Sequence, residues 1–188
     1  MSLYGSNVEY GLHCLLQLVE PSAGAPAAGA PVSTRDLAQF QGVSPSLVAK
    51  LFTQLRKAGI VESAEGIRGG FRLARPARDI SVFDVVRALA GDKPLFQCRE
   101  IRRNCVLYGD DPPASATRGV CAIHAVMLQA EKSMLDALRG HTLASLAGTV
   151  EDKSTIKFAH LKQHWFASRH AERQTPARLR SKSRRHST

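Results

Sequence analysis

The stretch from Val32 to Ala74, VSTRDLAQFQGVSPSLVAKLFTQLRKAGIVESAEGIRGGFRLA, constrains this chain more than any other. Ser33 stands where its side-chain oxygen can cap a helix whose first turn holds Thr34, Arg35 and Asp36. Leu37 and Phe40 give that helix an apolar edge. Gly42 breaks it, and Val43 is placed to plug the space before a second helix. Ser44 is positioned to cap the second helix. Pro45 occupies its first position, where a missing N–H costs nothing. Leu47, Val48, Leu51 and Leu55 recur at helical spacing and face a core, while Ser46, Lys50, Thr53, Gln54 and Lys57 point elsewhere. Gly59 ends the helix in a left-handed conformation that glycine adopts cheaply.

After Gly59, Ile60–Ser63 and Phe71–Leu73 alternate as strands, joined by a link carrying Gly66, Gly69 and Gly70. Such a hairpin turns tightly and leaves room for Arg68 beside a phosphate. Two short helices, a tight turn and a Gly-rich hairpin are the pattern of a winged helix-turn-helix. The helix from Pro45 is its natural reader of the major groove. An αα-hairpin in an ordinary core is the bland alternative, and it does not account for the hairpin that follows. The fold class expected is mainly α with a small β wing, followed by a long dimerisation helix.

Charge supports a nucleic-acid partner. The 188 residues hold 26 Lys and Arg against 16 Asp and Glu, a formal net charge of +10. Polyanions are the expected partners of such a surface. From Glu151 to Thr188 ten basic residues face three acidic ones, so seven of the ten net charges lie there. No segment has the length of an apolar membrane span, and the start lacks the layout of a signal peptide. A cytoplasmic location is expected, with the four cysteines reduced unless they bind metal or sense oxidants.

Four parts follow from the patterning: a winged helix-turn-helix domain at 1–91, a cysteine-containing sensor loop at 92–120, a dimerisation helix and return segment at 121–148, and a basic tail at 149–188. In the first, Asn7 to Val19 reads as a helix with Leu12, Leu15, Leu16 and Val19 on one face, and Pro21 to Pro31 as a Pro/Gly-rich loop. Ser81 caps a further helix with Asp84 three residues on. From Cys121 to Leu138, Ile123, Met127, Ala130, Met134 and Ala137 form one stripe. That stripe suggests a homodimer seam rather than packing within the subunit, since two-fold operators need two readers. Ile156, Phe158, Leu161, Trp165 and Phe166 suggest a weak amphipathic helix. From Ser168 onward a disordered, phosphate-clamping or merely solvated tail is expected.

The opening VEYGLHCLLQL, the helix GVSPSLVAKLFTQLRKAGIVES, the wing GIRGGFRLARP, the helix ISVFDVVRALAG and the segment HTLASL together resemble the Rrf2 family of bacterial winged-helix regulators, over about residues 1–147. The resemblance implies a homodimer that binds a partly palindromic double-stranded DNA operator, most often as a repressor. It implies groove and phosphate contacts from Ser44, Ser46, Lys50 and Gln54, and a wing contact from Arg68 and Gly69. Where family wings often carry Arg before the glycine matching Gly66, this chain has Glu65, an acid that repels phosphate.

Many members of the family hold an iron–sulfur cluster on three cysteines with five residues between neighbours. Here six residues separate Cys98 from Cys105, and fifteen separate Cys105 from Cys121. VEYGLHC and FQCREIRR…VCAIHAVM are closer to redox-regulating members, in which a Glu and a His of the first helix and two Cys of the partner hold a 2Fe-2S cluster. That likeness implies Glu9, His13, Cys105 and Cys121 as ligands, with Cys98 the alternative to Cys105. Glu9 and His13 are four apart and share a helix face. Thiolate, imidazole and carboxylate all suit iron. A plain surface pair is the ordinary reading of such residues, and a small buried apolar residue that of Cys14. His124, one turn from Cys121, is a lesser ligand candidate.

The competing reading is a cluster-free regulator in which Cys105 and Cys121, or Cys14, form a disulfide under oxidant, with Arg99, Arg102 and Arg103 favouring a thiolate. A DNA-binding subunit without a sensor, using a bound partner protein instead, is a third. No Ser/His/Asp set, phosphate loop or His-x-x-His motif supports an enzyme.

Overall fold

Ser33 Oγ accepts a hydrogen bond from Asp36 N–H at 3.1 Å and opens α2 (Thr34–Gln41), the second helix of the computed structural model, which describes residues 4–19, 30–66, 69–92 and 94–174. Gly42 ends α2 at φ 66°, a left-handed conformation that glycine enters without a Cβ penalty. Val43 N–H then bonds back to Ala38 C=O at 2.9 Å, which sets the turn into α3 (Pro45–Lys57). Ser44 is the N-cap residue of α3 but makes no side-chain cap. Its Oγ instead shares a hydrogen bond with Ser46 Oγ at 2.8 Å, so a neighbouring hydroxyl has displaced the backbone donor the sequence suggests.

The wing is a two-stranded antiparallel sheet, β1 (Val61–Ala64) against β2 (Gly70–Leu73), with Val61 opposite Leu73 and Ala64 opposite Gly70. Val32 extends it as a bridge to Phe71, by paired backbone bonds of 3.0 and 2.8 Å. Gly70 makes this approach feasible: a Cβ there would lie 2.6 Å from Val32 backbone atoms.

One apolar core holds the reading unit. Leu15 of α1 (Ser6–Leu16) meets Leu37 of α2, Val48, Leu51, Phe52 and Leu55 of α3, Ile60, Ile80 and Val85, all fully or almost fully buried. Each such side chain contributes roughly 1.5–3 kcal/mol on transfer from water. Phe52 and Phe71 pack edge to face with centroids 5.1 Å apart, which joins the wing to the reading helix. Val85 lies on α4 (Val82–Ala90), whose N-terminus carries the expected capping box between Ser81 and Asp84.

A second capping box, Thr142 with Ser145, opens α6 (Leu143–Lys153) directly beside the first. Ser81 and Thr142 form a β-bridge, and Leu143 N–H bonds to Ile80 C=O at 2.9 Å. These links return the chain to the core after the long α5 (Ala122–Arg139), none of whose residues is buried.

Between α4 and α5 the described backbone forms three short 3-10 turns, Ile101–Asn104, Val106–Tyr108 and Ala114–Thr117. Beyond α6 the fold departs from the sequence expectation. α7 (Ile156–Gln174) continues as helix past Ser168, where a disordered tail is expected. Its periodicity is weak because its stabilising contacts come from α2, far away in sequence, rather than from a continuous apolar face.

Candidate nucleic-acid interface and sensor segment

α3 divides its residues by face. Val48, Leu51, Phe52 and Leu55 face the core, while Ser46, Lys50, Thr53 and Lys57 are exposed at positions three and four apart. A helix seated on its own core by one face presents the other to a groove. Ser44, Ser46 and Lys50 are exposed as a DNA contact requires. Gln54 differs: it is half-buried, and its Oε1 is buried without a hydrogen-bond partner. Thr53 is exposed, but its hydroxyl is already bonded to Ala49 C=O at 2.9 Å.

The wing tip is held by Gly69 N–H on Gly66 C=O at 2.8 Å. A Cβ on Gly69 would come within 2.7 Å of the Ala64 and Gly66 carbonyl oxygens, so the turn demands glycine. Glu65 is exposed beside it. Arg68 lies outside the described residues.

Glu9 and His13 sit one turn apart on α1, both exposed, and both line one open cavity of about 640 Å³. Tyr4, Leu12, Leu16 and Leu146 supply much of its wall. A carboxylate and an imidazole thus share a largely apolar surround. Cys14, next to His13, points the other way. It is fully buried, and burial pushes its thiol up to about 11.

Of the other cysteines, Cys98 and Cys121 lie within the electrostatic reach of Arg102. Its guanidinium donates to Glu100 Oε2 at 2.7 Å, to Gly119 C=O at 3.0 Å and to Thr117 C=O at 3.4 Å. These bonds fold the start of the loop between α4 and α5 onto its end, and Arg102 interacts electrostatically with both Cys121 and Cys98. The Arg102 hydrogen bond also holds the Glu100 carboxyl below its usual range. Cys98 Sγ accepts the Glu100 N–H at 3.4 Å, and Cys121 is the N-cap residue of α5. At a helix N-terminus the backbone dipoles favour negative charge. Cys105 lies in the same loop, between two of its turns. His124, one turn along α5, rests against Phe96 with ring centroids 5.9 Å apart.

Among the described residues no group of three or more His, Cys, Asp or Glu is gathered to hold a metal ion. Glu9 and His13 are a carboxylate and an imidazole one helical turn apart on α1. Their donor chemistry fits iron, provided that thiolates arrive from a second copy.

Sequence reasoning missed two features of this region. One is the Arg102 clasp, hidden among six other arginines between residues 72 and 103. The other is the contact between α7 and α2. Trp165 and Phe166 pack on Phe40 with centroids 5.4 and 4.9 Å away, and Arg173 forms an ion pair with Asp36.

Residues 4–149 match the Rrf2 family, described as an iron-dependent transcriptional regulator. Protein rrf2 of Nitratidesulfovibrio vulgaris is 38% identical over 116 residues, covering 62% of this chain and 71% of that protein. The transcriptional repressor NsrR of Streptomyces coelicolor is 31% identical over 116 residues, with the same two coverages. Among solved structures, T. potens IscR superposes with a TM-score of 0.59 at 26% identity, covering 82% of this chain and 92% of that one.

Proposed function

The chain belongs to the Rrf2 family of winged-helix transcriptional regulators, which bind DNA and are not enzymes, and we propose that it acts as an operator-binding homodimer governed by a 2Fe-2S cluster. Repression is the proposed sign of regulation, and redox state, nitric oxide or iron status the signal. The single observation that carries the cluster reading is the pairing of Glu9 and His13 at one cavity of α1. The cytoplasm, where the operator is, is the proposed location. Among the described residues no helix is long and apolar enough to cross a membrane.

In this reading Ser44, Ser46 and Lys50 of α3 meet the groove and its phosphates, with Gln54 at the edge of the contact. Gly69 sets the wing against the backbone and Arg68 supplies its cation. The dimer seam is α5. Ile123 and Val126 are each 67% exposed on a helix with no buried residue, an apolar face that association would cover. Glu9 and His13 of one copy and Cys121 with a second thiolate of the other would hold the cluster. The sequence pattern favours Cys105 for that second thiolate. Cys98, whose Sγ accepts the Glu100 N–H at 3.4 Å, is the alternative.

The cluster would supply an electron-accepting or labile group whose change shifts the dimer between DNA-binding and non-binding arrangements. What the chain itself does is fix the donors. α1 holds Glu9 and His13 at a one-turn separation, and Arg102 closes the loop that carries the thiols.

A cluster-free thiol switch, in which Cys105 and Cys121, or Cys14, form a disulfide under oxidant, is the second reading. Cys14 is a poor member of it, since its thiol is buried and hard to ionise. The two readings separate in a visible absorption spectrum of protein purified without oxygen, with iron and sulfide assayed together. Charge-transfer bands that Glu9→Ala and His13→Ala abolish support the cluster. A colourless, iron-free protein that resists reconstitution overturns it and leaves the DNA-binding assignment intact.

A further inference from the structure

His13 lines the cavity of α1, and its backbone is tied to the helix-turn-helix. At the end of α1 the Gln17 N–H bonds to Cys14 C=O at 3.1 Å, only three residues back, which leaves the His13 C=O to side-chain donors. Two amides fill it. Gln17 Nε2 donates from within the same stretch at 3.1 Å, and Gln41 Nε2 donates from α2, 28 residues on, also at 3.1 Å. Gln41 is the last residue of α2. Gly42 follows in its left-handed conformation, Val43 N–H bonds back to Ala38 C=O, and Ser44 is the N-cap residue of α3. Three residues therefore separate the Gln41 bond from the first residue of the reading helix.

Apolar packing between α1 and α3 has no preferred direction, whereas a hydrogen bond is lost when its partners part. From 3.1 Å, a retreat of about 0.5 Å breaks the Gln41 bond. We propose that Gln41 is a positioning residue that couples the two sites: its amide ties the backbone of His13 to the turn before α3, so the placement α1 takes up when the His13 ring is engaged is passed to the reading helix. The ring and the carbonyl belong to one residue, and a displacement of α1 moves both. The bond then has two discrete states, made and broken, and both sites bias them, which is what coupling requires. The proposal rests on the cluster reading above and names the contact through which that site acts on DNA binding.

The test uses the full-length chain purified without oxygen and an operator selected with the wild-type protein from a random duplex pool. Affinity is measured by fluorescence anisotropy before and after treatment with an iron chelator, and the visible spectrum of each sample is recorded. The two wild-type affinities are expected to differ at least about tenfold. Gln41→Met matches the length and helix propensity of Gln but lacks the donor. It is expected to keep the wild-type spectrum while its two affinities differ less than about threefold. Gln41→Glu, of the same shape as Gln and without a donor when ionised, should respond in the same way. Gln17→Met removes the other donor to the same carbonyl without touching α2, and is expected to keep the full response. Coupling is reciprocal, so operator should also shift the chelator concentration that strips half the iron from the wild type, and not from Gln41→Met. A full response in Gln41→Met, or loss of its visible bands, overturns the coupling and leaves the cluster reading standing. Equal loss of response in Gln17→Met also overturns it, because filling the carbonyl would then matter rather than the link to α2. A wild type without a cluster, or one that binds operator alike before and after chelation, removes the cluster reading and the coupling together.

Discussion

The Phe40 ring of α2 lies 5.4 Å, centroid to centroid, from that of Trp165 on α7, so a helix outside the family match is packed on the first helix of the reading unit. Trp165 is the one tryptophan of the chain, and its emission therefore reports the surroundings of this one ring. Phe40→Ala is expected to shift that emission to longer wavelength. It should also lower stability by about 1–3 kcal/mol, less than a fully buried Phe because Phe40 is half-buried. An emission maximum that stays in place would show that α7 does not rest on α2 in solution.

Gly70 is expected to tolerate no side chain. A Cβ there would meet backbone rather than a movable side-chain tip, so Gly70→Ala must push Val32 away from Phe71. A loss of roughly 1–3 kcal/mol in chemical denaturation is expected. Stability equal to wild type would mean that the Val32 bridge does not form.

Lys50 is expected to act on phosphate or on a base edge, and the two roles differ in how they depend on DNA sequence. As a phosphate contact, Lys50→Ala weakens operator and random duplex alike and lowers the salt slope by about 0.9 for each phosphate it no longer neutralises. An unchanged affinity on both duplexes would take Lys50 off the interface.

Cys14 is expected to be inert in the native protein. Its side chain is fully buried, and burial disfavours its thiolate. Brief iodoacetamide treatment followed by peptide mass spectrometry should label it only after unfolding. Native labelling of Cys14 faster than of Cys98 or Cys121 would restore it as a sensor candidate.

Local chemistry is what the sequence displays well. Ser33, Gly42, Gly59 and the Ser81–Asp84 box all act within four residues of themselves, so propensity and spacing expose them. Ser44 failed as a side-chain cap because a rival hydroxyl two residues away took its place. Three features were out of reach for a different reason. The Arg102 clasp spans residues 102–119, the bridge of Ser81 to Thr142 joins two capping boxes, and Asp36 meets Arg173 across most of the chain. Each depends on tertiary placement, and a charged residue on a polar-looking helix carries no mark of its distant partner. Of the candidate site, the exposed face of α3 and the Glu9–His13 pair were legible from helical spacing. How Arg102 closes the loop that carries Cys98 and Cys105 was not, because that closure joins residues 15 and 17 positions apart.

The most direct test is DNA binding by the full-length protein to an operator selected with it from a random duplex pool, measured by anisotropy without oxygen, before and after mild oxidation or iron chelation. The outcome expected is specific binding that changes at least about tenfold, a coupling of about 1.4 kcal/mol, and that no longer responds in the His13→Ala protein. Specific binding that is the same in every state would contradict control by a cluster and leave a regulator governed by something else.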